Sequence, residues 1–120
     1  MSLEQKYYDK KLIFICSPFS GDTETNTANA RRYCQYVLDH GAVPFAPHLY
    51  FPQFLDYTDE EQRKTAIGAW LVILAECDEL WAFGDRLTDD MRLELKTADA
   101  FAIPMRFFSN DCKGGICLDD

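Results

Sequence analysis

Apolar residues along the chain gather in four short runs, and long stretches between them repeat with a helical period. The runs are KLIFICSP (11–18), AVPFAP (42–47), DELWAFG (78–84) and IPMRFF (103–108). The first, continuous and ending at Pro18, reads as a strand buried on both faces, and the other three read as strands. Pro44 cannot donate to a strand ladder, so the second run is expected at a sheet edge. From about Thr25 to His40, Ala30, Tyr33, Cys34 and Val37 share one helical face, and Gly41 suits the position after a helix end. A second helix is expected from Thr58 or Asp59 to about Glu76, with acidic residues in its first turn. Its segment AIGAWLVILA (66–75) is apolar nearly all round, so it is expected to pack on the sheet and on something else. DRLTDDMRLELKTADA (85–100) supplies a third helix. FSGDTETN (19–26) reads as a loop with N-cap candidates, HLYFPQFLDYTDEE (48–61) as a longer loop, and SNDCKGGICLDD (109–120) as a polar tail in which fraying is expected.

Strands alternating with helices predict an α/β class and a small, doubly wound, mostly parallel sheet of order 2-1-3-4, with helices on both faces. One domain over 1–120 is expected, with its core at about 11–108 and no repeat or linker. In such a sheet the strand order reverses between the first and third strands, and ligands bind outside their carboxyl ends. The rim of that crevice would be CSPFSGDT (16–23) and FGDRLTDD (83–90).

With 120 residues and 48% hydrophobic content the chain can build one core. Its net charge of −8 and scattered Lys and Arg argue against a nucleic-acid partner, while a small anion could still use backbone N–H groups at a helix start. The five cysteines are odd in number and form no C-x-x-C, which suits a reduced, cytoplasmic protein; Cys112 and Cys117 are near enough in sequence to pair. The start, MSLEQKYYDKK, is polar, and no apolar run reaches membrane-span length, so no membrane partner is expected. With two histidines, no metal-ligand cluster can be assembled, and no cofactor is implied.

One position breaks the pattern of the third helix. Met91, Glu94, Leu95, Ala98 and Phe101 share a face that is apolar except for Glu94. Two roles suit that carboxylate. It can reach water at the rim or pair with Arg31, Arg32 or Arg92, or it can face the crevice and act on a sugar carbon. Burial there would raise its pKa, and an ionised nucleophile would need donors from the loop to limit the rise. Asp85 directly follows Gly84 at the strand end, from where a side chain can reach a ligand. Asp89 and Asp90 suit a helix N-terminus. In the loop after the first strand, Ser17, Ser20 and Thr23 can cap the turn or cradle an anion or a ribose hydroxyl. Asn26 starts the otherwise apolar stripe of its helix, as Glu94 interrupts its own. His48 either lines the crevice or caps its loop. The aromatic residues of LYFPQF (49–54) form either a stacking wall for a base or a flap over the core. Cys16, inside a strand, reads as a buried structural thiol.

At these residues the chain resembles the nucleoside 2-deoxyribosyltransferase-like superfamily, and within it a branch of small bacterial and phage proteins. The segments that carry the likeness are IFICSPFSGDTETNTANARRYC, GAVPFAPHLYFPQFL, CDELWAFGD and MRLELKTADAFAIPMRFF. The first-strand motif of the enzymes, I-Y-L-A-G-P-F, corresponds to Ile13-Phe14-Ile15-Cys16-Ser17-Pro18-Phe19. Their D-x-G-T-x-x-E corresponds to Thr88-Asp89-Asp90-Met91-Arg92-Leu93-Glu94, where the glutamate alone is retained. The resemblance implies a flavodoxin-like fold, an oligomer with sites near subunit boundaries, and a glutamate nucleophile attacking the anomeric carbon of a deoxynucleoside or its monophosphate. That role falls on Glu94, with Asp85 as a substitute for the missing aspartate. Substrate contacts are expected from Ser17, Pro18, Phe19, Ser20, Gly21, Asn26, His48, Gly84, Asp90 and Met91. The expected activity is hydrolysis or base exchange at an N-glycosidic bond of a nucleoside or nucleotide. The alternatives are a nucleotide-binding sensor without chemistry and an accessory protein without a ligand. A homodimer or larger assembly is expected, with Trp70 or Ile73 in the contact.

Overall fold

The computed structural model describes residue 2 and residues 9–117; most of the polar opening of the chain lies outside the described residues. β1 (Leu12–Cys16) is central, paired in parallel with β2 (Val43–Phe45) on one side and β3 (Glu79–Phe83) on the other. β4 (Met105–Phe108) continues the parallel sheet beyond β3. These four strands take the order 2-1-3-4. β2 is an edge strand, as Pro44 requires.

The helices are α1 (Thr23–Asp39), the short α2 (Pro47–Tyr50), α3 (Glu60–Ala75) and α4 (Asp89–Ala100). Each long helix starts on a side-chain cap. Asp22 accepts from Thr25 N at 3.1 Å, Asp59 from Gln62 N at 3.0 Å, and Thr88 from Met91 N at 3.1 Å. α1 starts at Thr23, two residues before the start anticipated from apolar spacing, because the Asp22 carboxylate takes an otherwise unpaired amide. α1 covers one face of the sheet, where Tyr33 and Val37 meet Ile13, Ile15, Trp81 and Phe83. Tyr33 stacks on Phe83 at 4.3 Å. α3 and α4 cover the other face, with Trp70, Leu74, Met91 and Ala98 against Phe14, Cys16, Leu80 and Ala82. The full burial of β1 from Ile13 to Cys16, and of all of β3, follows from this two-sided cover.

Three expectations are corrected. Residues 48–61 are not simply a loop: Pro47 sits in the first turn of α2, and Phe51–Gln53 forms a 3-10 turn. Both are too short for a periodic pattern to register. The stretch after Phe108 is not all tail. Ser109 N donates to Lys113 O at 2.8 Å, Cys112 takes φ +64, and the chain reverses so that β5 (Gly114–Cys117) pairs antiparallel with β4. The pairing covers an edge that β4 would otherwise expose. Lastly, Trp70 is fully buried within the protomer and cannot sit in a subunit contact. The outward face of α3 is carried by Gly68 and Val72, the latter 68% exposed. Cys112 is a free thiol. Among the described residues no helix is long and apolar enough to cross a membrane.

Candidate functional site

Parallel strands β1 and β3 send their following loops to opposite faces of the sheet, which opens a crevice at their carboxyl ends. Gly84 holds the two loops together. Its φ is +118, and a Cβ there would come within 3.4 Å of the Pro18 ring. Glycine alone accepts both that backbone conformation and that approach. From the α1 side, Asn26 Nδ2 donates to Phe19 O at 2.9 Å and Ser20 O at 3.3 Å, so this polar start of the stripe pins the loop. From the opposite side Arg86 donates to Ser20 O at 3.3 Å. The resulting cavity, about 280 Å³, is lined by Pro18, Asn26, Asn29, Tyr33, Gly84, Asp85, Arg86 and Asn110. Thus Pro18, Asn26, Gly84 and Asp85 do come together. Ser20 and Gly21 are exposed on the loop, and Ser17 is buried beneath it.

Glu94 lies elsewhere. It is 0% exposed, on the α3–α4 side of the sheet, and lines none of the cavities described here. Asp85, exposed, lines the cavity beside Asn26 and a second one of about 280 Å³ beside Leu87 and Met91, and Glu94 lines neither, so the two acidic candidates do not share a cavity. The expected projection of Glu94 into open crevice is therefore corrected: in this structure the carboxylate is sealed. Neither of its oxygens has a hydrogen-bond partner. The anticipated loop donors are absent from it, as are Arg31, Arg32 and Arg92. Burial pushes its pKa up to about 8, the neighbouring Cys16 thiol holds the rise back, and the charge of Asp90 adds to it. The thiol also approaches the Met91 carbonyl at 3.8 Å. Cys16, as anticipated, is a fully buried strand thiol, its own pKa raised first by burial and then by Glu94.

Glu94 is one of a group. His48 Nδ1, Tyr57 OH and Trp70 Nε1 are also buried without a partner. Ring contacts join them: Phe19 stacks on His48 at 5.0 Å and meets the edge of Tyr57 at 5.0 Å, His48 meets Trp70 at 5.2 Å, and Tyr57 lies 5.9 Å from Trp70. Burial raises the Tyr57 phenol pKa, and the charges of Asp90 and then Glu94 add to the rise. Burial pulls His48 down to about 4, against an opposing contribution from its hydrogen bond with the Ser17 backbone, so the imidazole is neutral at pH 7. His48 is thus buried rather than lining open crevice, and it is held to the backbone of Ser17. Phe19 and Tyr57 also wall an outer depression of about 490 Å³ on the protein surface, so Tyr57 belongs both to that opening and to the buried group. Phe51 is buried in the core, while Tyr50 and Phe54 stand exposed.

Each buried polar atom left unpaired costs about 1–3 kcal/mol, so a cluster of them marks a place where the fold has given up stability. Met91 is buried beside this group, and Asp90 is held by Arg63 at 2.5 Å, which joins α3 to α4 just above Glu94. Tyr57, Trp70 and Arg63 were not among the expected site residues: Tyr57 fell in an expected loop, Trp70 was expected in a subunit contact, and Arg63 stood near the start of the second helix. Among the described residues no three His, Cys, Asp or Glu side chains are grouped to hold a metal.

The fold is similar to that of three solved structures. One is a 2-deoxyribosyltransferase of Bacillus psychrosaccharolyticus, with TM-score 0.67 and 22% identity over 88% of this chain and 75% of that one. The second is the CMP N-glycosidase BcmB of Clostridium botulinum, with TM-score 0.53 and 14% identity over 82% and 69%. The third is a 2-desoxiribosyltransferase of Leishmania mexicana, with TM-score 0.59 and 18% identity over 82% and 64%, so this chain spans less than two thirds of its length. At these identities the likeness is one of fold, and the fold is nucleoside 2-deoxyribosyltransferase-like. No curated protein matches the chain by sequence. A family model covers residues 11–108 of the 120, and the chain accordingly belongs to the family described as Domain of unknown function (DUF7768).

Proposed function

We propose that the protein acts on the N-glycosidic bond of a nucleoside or nucleoside monophosphate, as a hydrolase or deoxyribosyltransferase, with Glu94 as nucleophile. The observation that carries this is the unpartnered, fully buried carboxylate among three other unpaired polar side chains at the strand-order reversal. A carboxylate oxygen of Glu94 attacks the anomeric carbon. The bond from that carbon to the base nitrogen breaks, and its electron pair leaves with the base, which takes up a proton. Water, or the nitrogen of a second base, then attacks the same carbon and frees the carboxylate.

In the closed arrangement Glu94 is mostly protonated at neutral pH. Its ionisation goes with displacement of Phe19 and Tyr57, whose outer side already faces a surface depression. Sugar hydroxyls entering there would supply the donors that Glu94 lacks and lower its pKa. Trp70 Nε1 and Tyr57 OH offer donors to the base, and His48 Nδ1 offers a neutral acceptor. Asp85, with Ser20, Gly21, Asn26 and Gly84, would meet the ligand from the α1 side. A cytoplasmic setting fits the odd cysteine number.

The test is a panel of nucleosides and their monophosphates with wild type and Glu94→Gln. Turnover by wild type is expected to fall by orders of magnitude in the variant, with binding kept within about tenfold, or ~1.4 kcal/mol. Near-wild-type turnover in the variant would remove Glu94 from the role of nucleophile. The sealing of Glu94 favours one second role, a nucleotide sensor. Binding without turnover in both proteins would establish it.

A further inference from the structure

We propose that the depression at the start of α4, lined by Arg63, Arg86 and Arg92, binds a phosphate monoester, so that the ligand is a nucleoside 5′-monophosphate rather than a nucleoside. The proposal rests on the crevice taking a nucleoside-like ligand, and it adds the phosphate and the residues that read it.

The chain carries a net charge of −8, yet three of its six arginines line this one depression of about 360 Å³, with Ser20, Leu87, Thr88, Asp89 and Asp90 as the other walls. They arrive from three separate places: Arg63 from α3, Arg86 from the loop after β3, and Arg92 from α4. No single helical repeat accounts for that convergence. Three guanidinium groups face two carboxylates, and the three are not equally committed. Arg63 is taken by Asp90 at 2.5 Å in a partly buried pair. Arg92 meets Asp89 at 3.4 Å, but Asp89 is fully exposed, so this contact is weak and readily exchanged. Arg86 has no carboxylate partner among the described residues; its one described contact is the Ser20 carbonyl, which uses one of five N–H donors.

Arg86 and Arg92 are thus free to make bidentate bonds to phosphate oxygens without breaking the Arg63–Asp90 joint. The first amides of α4 point out of the helix at the same place and add a positive end. The location also suits a phosphorylated sugar. Ser20 is shared with the loop expected to cradle the ligand, Arg86 lines both this depression and the Asp85 cavity, and Asp90 lies one helical turn before Glu94.

The test is a binding experiment and needs no turnover. Inorganic phosphate, then cytidine and cytidine 5′-monophosphate, are titrated into wild type and into Arg86→Gln/Arg92→Gln while backbone amide and arginine side-chain resonances are followed. Phosphate is expected to shift residues 86–92 saturably in wild type, with at least tenfold weaker binding in the double variant. The monophosphate is expected to bind wild type at least tenfold more tightly than cytidine, and that gap is expected to close in the variant. Phosphate shifts that lie elsewhere, or survive unchanged in the variant, overturn the site. Shifts at 86–92 without a preference for the monophosphate mean an adventitious ion only and overturn the proposed ligand. A folded variant, checked by its dispersed spectrum, keeps these outcomes readable; where it fails to fold, Arg86→Gln alone serves. Failure of Glu94 chemistry with the phosphate preference intact would sink the nucleophile assignment and leave this site standing.

Discussion

Glu94 is a side chain whose charge state and burial are in conflict, and the conflict can be measured without a substrate. Its ordinary value is 4.5, and burial raises it to about 8 in the folded protein. Below about pH 4.5 both folded and unfolded chains hold the proton, so the group contributes no pH dependence. Between pH 4.5 and 8 the unfolded chain releases the proton while the folded chain keeps it, so stability falls as pH rises. Above about pH 8 the penalty is constant, at up to about 5 kcal/mol. Glu94→Gln is neutral throughout and removes this term. The variant should therefore gain on wild type by up to about 5 kcal/mol between pH 4.5 and 8.5, read from urea midpoints at each pH. Parallel pH profiles would mean that the carboxylate is solvated in solution and the crevice stands open.

Among the elements, the two ends of the sheet are held in different ways. At the carboxyl end Gly84 lets the loops after β1 and β3 approach. At the amino end Glu79, the first residue of β3, gathers Lys11 Nζ at 2.6 Å, Trp81 Nε1 at 2.8 Å and Arg106 Nε at 3.1 Å. Burial alone would raise the pKa of Glu79, but these partners outweigh it and lower the value. The sign is opposite to that of Glu94: stability from Glu79 is present above its ordinary value of 4.5 and is lost as pH falls through its lowered pKa. Glu79→Ala leaves the Trp81 indole N–H unpaired and sets two cations together. A loss of about 2–4 kcal/mol is expected at pH 7, seen as a lower urea midpoint, and shrinking towards pH 3. An unchanged midpoint would show that water serves the three donors equally well.

For the whole molecule, assembly follows from α3. Its inner side is filled by Ala66, Trp70 and Leu74, yet its outer side carries Gly68, with no atom within 4 Å of where a Cβ would stand, and Val72 at 68% exposure. Ile67, Leu71 and Ile73 flank them, partly buried. An apolar helix face left in water favours association. A homodimer through Val72 and Ile73 is expected, giving twice the protomer mass by light scattering at micromolar concentration. Val72→Glu should return it to a monomer. A monomeric wild type at that concentration would refute the contact.

Much of this was written in the order of residues. Short apolar-rich runs marked the four parallel strands, and Pro44 placed the second at an edge. Glu94 stood out because a 3.6-residue repeat assigns each residue a face, whatever that face meets. The same repeat could not tell open crevice from sealed core, so it pointed Glu94 into an open crevice and Trp70 at a partner subunit. Those outcomes depend on groups far apart in the chain: Cys16 and Tyr57 reach Glu94, Arg63 on α3 holds Asp90 on α4, and Lys11 finds Glu79 across 68 positions. β5 is similar, since a Gly-containing polar stretch becomes a strand only when a turn lays it beside the open edge of β4. Local pattern is a property of neighbours in sequence and determined the elements and their inward faces. Desolvation, ion pairing and edge pairing belong to neighbours in space, and only the tertiary structure decided them.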